Sequence, residues 1–275
     1  MPASRRTTTE PDDRPRPRLL PCAVVAAVLV LSLGPLTAAA QWAEQFSAGL
    51  FTFRSEFTMN EAERQSLTSE IALLQDDLEQ TLRLPPGNGK VEVSLFRNKW
   101  SYQRFVSQRI PEGASRPALF VKGPDVGRVY VYKRWGYETD FRHECTHALL
   151  HSTLPFVPLW MDEGLAEYFE IPRGERASRG RYLASLKRSM FFGWKPNLRQ
   201  LEARQSVSEM DSDDYRDSWA WVHFLLHGPA EVRQVLSDYL DDIHSGRVIT
   251  PFSERLYQRV PDADQKLIRH LRSCR

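Results

Sequence analysis

Cysteine is scarce in this sequence: three residues in 275, none in C-x-x-C spacing. The count excludes a disulfide-framework fold, and the spacing excludes a paired-cysteine redox or zinc motif. Net charge is equally low, at +2, and the first forty residues account for it with five arginines against Glu10, Asp12 and Asp13. A chain this close to neutral offers no basic face to nucleic acid and no strongly charged surface to a partner, so neither is expected. Internal repeats are lacking, and no linker marks off a second independent domain. What remains is an ordinary globular composition, 41% hydrophobic and 26% charged, with enough chain for one large core or two closely packed lobes.

One long apolar run departs from this pattern. Arg5, Arg6, Arg14, Arg16 and Arg18 precede an apolar stretch from Leu19 to Leu33; Gly34-Pro35 ends it, and Ala38-Ala39-Ala40 follows. Charge, apolar stretch and small residues in that order make an export signal, cleaved before Gln41. The alternative is an uncleaved anchor, because Leu19–Leu36 is just long enough to span a bilayer. The Ala-x-Ala end favours cleavage, which places the mature protein in the periplasm or outside the cell. A membrane enters only through an uncleaved segment. Ser4-Arg5-Arg6 lacks the apolar residues that follow a twin-arginine signal, and Cys22 precedes the apolar run, unlike a lipid-attachment cysteine. Cys22 leaves with the signal. Cys145 and Cys274 remain, free or bridged in an oxidising compartment.

With only seven histidines in the chain, His143-Glu144-Cys145-Thr146-His147 stands out. Composition alone produces H-E-x-x-H in roughly one chain in a hundred of this length. On a helix, residues four apart share a face, so His143 and His147 can present imidazoles to one metal ion. Glu144 lies about 100° round the same turn, placed to hold a metal-activated water without ligating. Catalytic zinc takes three protein ligands and leaves a position for water. Glu163 is the natural third ligand, on a second helix entered after a turn at Leu154–Pro158. Cys145, about 200° from His143, faces away and packs as a small apolar residue. His151 lies about 12 Å from His143 along the axis, too far to share a tetrahedral ion with it.

His143-Glu144-x-x-His147 followed by Trp160-x-Asp162-Glu163-Gly164-x-Ala166-Glu167-Tyr168 resembles the gluzincins, zinc peptidases whose third ligand is a glutamate. Thermolysin and aminopeptidase N belong to that clan, and the short chain is most similar to the bacterial peptidase MA-like proteins. The match is specific over Tyr137–Glu170. It implies a zinc site of His143, His147 and Glu163, Glu144 as general base, and Glu167 as the carboxylate that orients a histidine ligand. Tyr215-Arg216-Asp217-Ser218-Trp219-Ala220 resembles a Y-x-x-S-W-A stretch that follows the metal helices in those proteins. The resemblance implies that Tyr215 donates to the oxyanion of the tetrahedral intermediate; the alternative is a tyrosine packed against Trp219. It also implies a strand edge just upstream of the metal helix on which extended peptide is laid, a role that falls to Val129–Tyr132. An ordinary core-facing strand is the other reading there.

Elsewhere, Leu50–Phe57 and Val91–Phe96 alternate as strands, and Ala118–Lys122 and Arg128–Tyr132 form a hairpin around Gly123–Gly127. Asn60–Leu84 has helical spacing and is closed by Pro85-Pro86-Gly87; Lys99–Val106 makes a short helix with Trp100 and Phe105 inward. Helices are predicted over Ala177–Met190, Ser212–Leu226, Glu231–His244, Thr250–Gln258 and Asp262–Arg272. The Arg-rich stretch Arg173–Arg188 is expected to be solvated. His223 and His227 have four-residue spacing but no glutamate in the second position, so packing rather than metal is expected of that pair. Strands early and helices late give an α+β fold. With the resemblance, the expectation becomes a signal over residues 1–40 and a single zincin-like catalytic domain over 41–275, α/β through 152 and helical from 153.

The expected activity is hydrolysis of a peptide or protein substrate at a zinc site. The alternative is a non-catalytic exported protein that binds peptide or cell-wall components through a retained zinc site. Glu144 discriminates between them, since a purely structural site needs no spare carboxylate beside the water. The metal chemistry also allows a non-peptide substrate. No G-x-G-A-M-E-N exopeptidase loop precedes the motif.

Overall fold

A hairpin opens the part of the chain that the structure, a computed structural model, describes: residues 42–176, 182–247 and 249–274. The export signal expected over residues 1–40 lies outside them. Strand β1 (Glu44–Ala48) turns through Gly49-Leu50 into β2 (Phe51–Ser55), with Ala48 opposite Phe51. Only Gly49 has positive φ in this two-residue turn, the type II′ pattern that suits the twist of a hairpin. The alternation over Leu50–Phe57 marks β2. β1 escapes sequence reading because Phe46 is its one large apolar residue.

Helix α1 (Glu61–Leu82) starts on a capping box: Asn60 accepts from the Glu63 amide, and the Glu63 carboxylate accepts from the Asn60 amide. Leu67, Ile71, Leu74, Leu78 and Leu82 bury its inner face. Strand β3 (Lys90–Phe96) follows, then α2 (Lys99–Ser107). Tyr102 and Val106, one turn apart, set the inner face of α2. Trp100, expected inward, lies about 200° from Tyr102 and is 68% exposed. Phe105 is partly buried beside Trp42, Phe96 and Tyr130.

Strands β4 (Ala118–Val121) and β5 (Val126–Tyr132) pair as the predicted hairpin. The sheet order is β1-β2-β3-β5-β4, parallel among β2, β3 and β5 and antiparallel at both margins. Val129–Tyr132 is therefore interior, bonded on both sides, and the edge expected there is supplied by β4. Val129 and Val131 are fully buried, as suits a strand inside the sheet rather than at its margin.

All five strands of the described residues precede residue 133, and eight of the ten helices follow it, an α+β order. Helix α3 (Tyr137–Thr153) packs on β4 and β5 and carries the H-E-x-x-H residues. The turn at Leu154–Pro158 leads into α4 (Leu159–Phe169). Then come α5 (Leu183–Phe191), α6 (Leu198–Glu202), α7 (Ser212–His227), α8 (Ala230–His244), α9 (Phe252–Arg259) and α10 (Ala263–Ser273). The helix predicted from Ala177 is described from Leu183 on; residues 177–181 lie outside the described set. α6 was not predicted, being only five residues long.

One hydrophobic core joins Phe53 and Val93 of the sheet, Cys145 and Leu149 of α3, Trp160 and Leu165 of α4, Trp221 of α7 and Leu267 of α10. Truncating a fully buried leucine such as Leu165 to alanine costs about 2–5 kcal/mol. The Arg-rich stretch is not wholly solvated. Arg176 is buried: it pairs with Asp77 of α1, donates Nε to the Ile171 carbonyl at 2.6 Å, and stands over the rings of Tyr168 and Phe169. A carboxylate and two aromatic faces replace the water such a cation loses. Cys145 and Cys274 are both free. Among the described residues no helix is long and apolar enough to cross a membrane.

Candidate metal centre

Gly136, in the left-handed conformation at φ +73, turns the chain from β5 into α3. Four-residue spacing then sets the His143 and His147 rings side by side, centroids 5.0 Å apart. Glu163, in the second turn of α4, comes back to meet them. Its Oε2 lies 3.6 Å from His143 Nε2 and 3.7 Å from His147 Nε2. A tetrahedral ion with bonds of about 2.0–2.1 Å holds its donors about 3.3 Å apart, so these atoms surround a space of metal size. His143, His147 and Glu163 thus form a group able to hold a divalent transition metal through two nitrogens and one oxygen.

The far side of each imidazole faces an acid. His143 Nδ1 is 3.1 Å from Glu170 Oε2, and His147 Nδ1 is 3.0 Å from Asp162 Oδ1. With both Nδ1 atoms protonated towards these carboxylates, both Nε2 lone pairs point into the shared space. The His147–Asp162 contact is close but off the line a hydrogen bond needs, so both buried atoms lack a completed bond there. Its charge contact stands regardless of angle.

Electrostatics follow from these neighbours. Burial alone would lower both histidines, but Glu163 and Glu170 hold His143 well above the usual range, and Asp162 and Glu163 bring His147 up to about 9. Burial alone would raise Asp162, yet His147 and His151 hold it well below the ordinary carboxylate range. Glu163 is likewise lowered by its histidines against the effect of burial. Without a metal, then, a cluster of paired imidazolium and carboxylate groups occupies the site.

Glu144 behaves differently. Burial raises its carboxyl despite the opposing charges of His143 and His147 and the polar influence of the Phe120 amide on β4, which both favour the charged form. A carboxylate raised by desolvation and kept off the ligand set is suited to accept a proton near neutral pH. The Phe120 ring lies nearly parallel to His147, interplanar 14°, and to His151, interplanar 9°.

Tyr215 arrives on α7. Burial raises its hydroxyl to about 12, helped by the charges of Glu163, Glu167 and Glu144 and opposed by Arg116, so it keeps its proton within the field of the same carboxylates. Its approach depends on Gly164. A Cβ there would stand 2.7 Å from the Ser218 carbonyl oxygen and 2.8 Å from Val222 Cγ2, so the bare backbone lets α4 and α7 close together. Ser218 is one turn from Tyr215 on that helix.

No protein-family model and no curated protein matches this chain. The site therefore rests on its own geometry. Glu167 is buried and forms a group with His143 and Glu170, their ligand atoms within 4.8 Å of one another. Glu170 and Asp162, which sequence reading did not single out, stand at the two Nδ1 atoms, while Glu167 belongs with Glu170 to the acidic group around His143. A signal was present: Glu170 lies two turns after Glu163 on the same face, and Asp162 precedes Glu163. Arg142 fixes the distance between His143 and Glu170. Buried in α3, it donates Nε to the Phe169 carbonyl at 3.1 Å and pairs with Glu70 of α1, clasping α3, α4 and α1 together. His151 takes no place in the metal group; it meets Asp162 at 3.0 Å and Lys122 at 3.3 Å.

Proposed function

We propose that this chain is a zinc-dependent metallopeptidase of gluzincin type, with a zincin-like fold close to that of the peptidase MA-like proteins. The carrying observation is the convergence of His143 Nε2, His147 Nε2 and Glu163 Oε2 with a raised, non-ligating Glu144 beside them. Zinc, when bound there, supplies Lewis acidity, acidifying water and polarising a carbonyl.

The chain's own residues do the rest. Glu170 bonds the Nδ1 of His143, and the Asp162 charge facing His147 Nδ1 favours a proton there, so that both Nε2 atoms are left as donors to the metal. Glu144 accepts a proton from the attacking water and delivers it to the leaving amine, a transfer that its raised proton affinity favours. Tyr215 keeps its proton and donates a hydrogen bond where negative charge develops on the substrate carbonyl. The free edge of β4 offers backbone groups to an extended peptide close to Glu144, whose carboxyl feels the Phe120 amide of that strand. Arg142 and Gly164 position these groups and touch no substrate.

The experiment compares Glu163→Ala with Glu144→Gln for zinc content and casein cleavage. The first should lose metal and activity together; the second should keep the metal and lose hydrolysis. An unmodified chain that holds zinc at His143 and His147 and cleaves nothing would favour the peptide- or wall-binding reading instead. Export is part of the proposal and rests on the Arg-rich start, the Leu19–Leu33 run and Ala38-x-Ala40. Protein recovered from producing cells should begin at Gln41; an intact Met1 end in the membrane fraction would establish an anchor.

A further inference from the structure

A second cluster of metal-ligating side chains lies where α10 meets α7. His223 on α7 places Nδ1 2.9 Å from Nε2 of His270 on α10. Cys274, at the end of α10, has Sγ 3.9 Å from the same His270 nitrogen. The three donor atoms all lie within 4.8 Å of one another. Bonds of about 2.0–2.1 Å to nitrogen and about 2.3 Å to sulfur set tetrahedral N···N and N···S edges near 3.3 and 3.6 Å, and the observed separations straddle them.

Aromatic rings pack against the cluster. Trp219 and Phe224 stand against the histidine rings, with centroids 4.8 Å from His223 and 5.5 Å from His270. His227, 4.7 Å from His223 by centroid, is committed elsewhere: its Nε2 meets the Tyr168 hydroxyl at 2.7 Å. The four-residue pair His223/His227 is thus not the ligand set, and the partners of His223 come from α10, about fifty residues on. Lys187 of α5 donates to the Cys274 carbonyl at 2.6 Å, which holds the backbone of the thiol in place.

We infer that His223, His270 and Cys274 form a second metal site, for a thiophilic ion of the zinc class, that pins α10 to α7. Two imidazoles and a thiolate suit zinc and disfavour magnesium or calcium. Binding releases the Cys274 thiol proton to solvent and, by exchange with solvent, moves the proton held between His223 Nδ1 and His270 Nε2 to the other nitrogen of the ring that carried it, so that one hydrogen bond gives way to two coordinate bonds. The half-buried position of Cys274 leaves the fourth tetrahedral position to water. The inference does not rest on the peptidase reading, since it uses none of the same residues.

Cobalt(II) titration of the reduced, metal-stripped full chain in a Cys22→Ser background tests it. The site of α3 and α4 contains no thiolate, and Cys145 is fully buried in the core, so a thiolate-to-cobalt charge-transfer band reports Cys274 alone. The band should appear with the α3–α4 site intact, and should saturate near one equivalent when His143 and His147 are both replaced by alanine. It should vanish in Cys274→Ser and require at least about tenfold more cobalt in His270→Ala. Zinc should raise the thermal midpoint of the His143→Ala/His147→Ala chain and fail to do so once Cys274→Ser is added. Absence of the band from the unmodified ligand set, or its survival in Cys274→Ser, would overturn the site.

Discussion

Two histidine pairs with identical spacing sit on helices of this protein, His143/His147 on α3 and His223/His227 on α7, and burial pushes all four towards the neutral state. What the rings touch makes them opposites. Glu163, Glu170 and Asp162 reverse the effect of burial on α3 and bring His147 up to about 9. On α7 burial prevails, reinforced by His227 and His270, and His223 falls to about 3. Spacing places imidazoles on one face, but facing acids decide whether they hold protons. The α3 pair must give up protons to bind a metal; the α7 pair has none to give.

The largest test of this contrast removes the one group that has no counterpart on α7. Glu144→Gln should leave zinc content unchanged and lower casein hydrolysis about a hundredfold or more, the usual scale for loss of a general base. Cleavage at the original rate would show that the two helices differ in charge but not in chemistry. Tyr215→Phe keeps the ring and deletes the donor, so turnover should fall about a hundredfold while zinc content and substrate affinity hold. Glu170→Ala makes the α3 pair more like the α7 pair by stripping one acid from His143. Zinc affinity should drop about tenfold or more, and titration by NMR should show the His143 proton leaving at lower pH.

Smaller effects concern stability. Gly164→Ala forces a methyl between α4 and α7 and should cost about 1–3 kcal/mol, read as a lower urea midpoint, with a further loss of turnover as Tyr215 moves. The metal-free protein should show opposite pH signs at the two pairs. His147 has a folded pKa raised from 6.5 to about 9, so its stabilisation is complete below pH 6.5 and fades as pH rises through 9. His223 has a folded pKa lowered from 6.5 to about 3; it costs nothing above 6.5 and destabilises increasingly as pH falls towards 3. Urea midpoints in chelator should therefore become less alkali-sensitive in His147→Gln and less acid-sensitive in His223→Gln.

Much of the fold was legible because it is local. The apolar spacing of α1 and the hairpin around Gly123–Gly127 are each specified within a few residues. The meeting of His143, His147 and Glu163 was legible for the same reason, since one helical period and one short turn bring them together. The edge strand was not. Whether β4 or β5 lies at the margin depends on pairing with β3, some thirty residues earlier, which no local pattern encodes. Trp100 was misjudged because a nine-residue helix has little periodicity to read. Glu170 and Asp162 were not legible as partners, because their contacts with His143 and His147 depend on how α3 and α4 pack. His270 and Cys274 could not be joined to His223 from sequence at all, because only the packing of α10 on α7 brings them close.

The margin of the sheet sets one more property. Strand β4 has four residues, which at about 3.3 Å each span roughly 13 Å. Two copies of so brief a ribbon gain few hydrogen bonds by zipping together, so a margin this short is a poor template for self-association. On the proposed peptidase reading the same brevity would ration recognition, since a guest strand could be gripped along about four residues. Sequence preference in a peptide-library digest should accordingly be concentrated within about two residues on either side of the cut, and distant positions should read as noise.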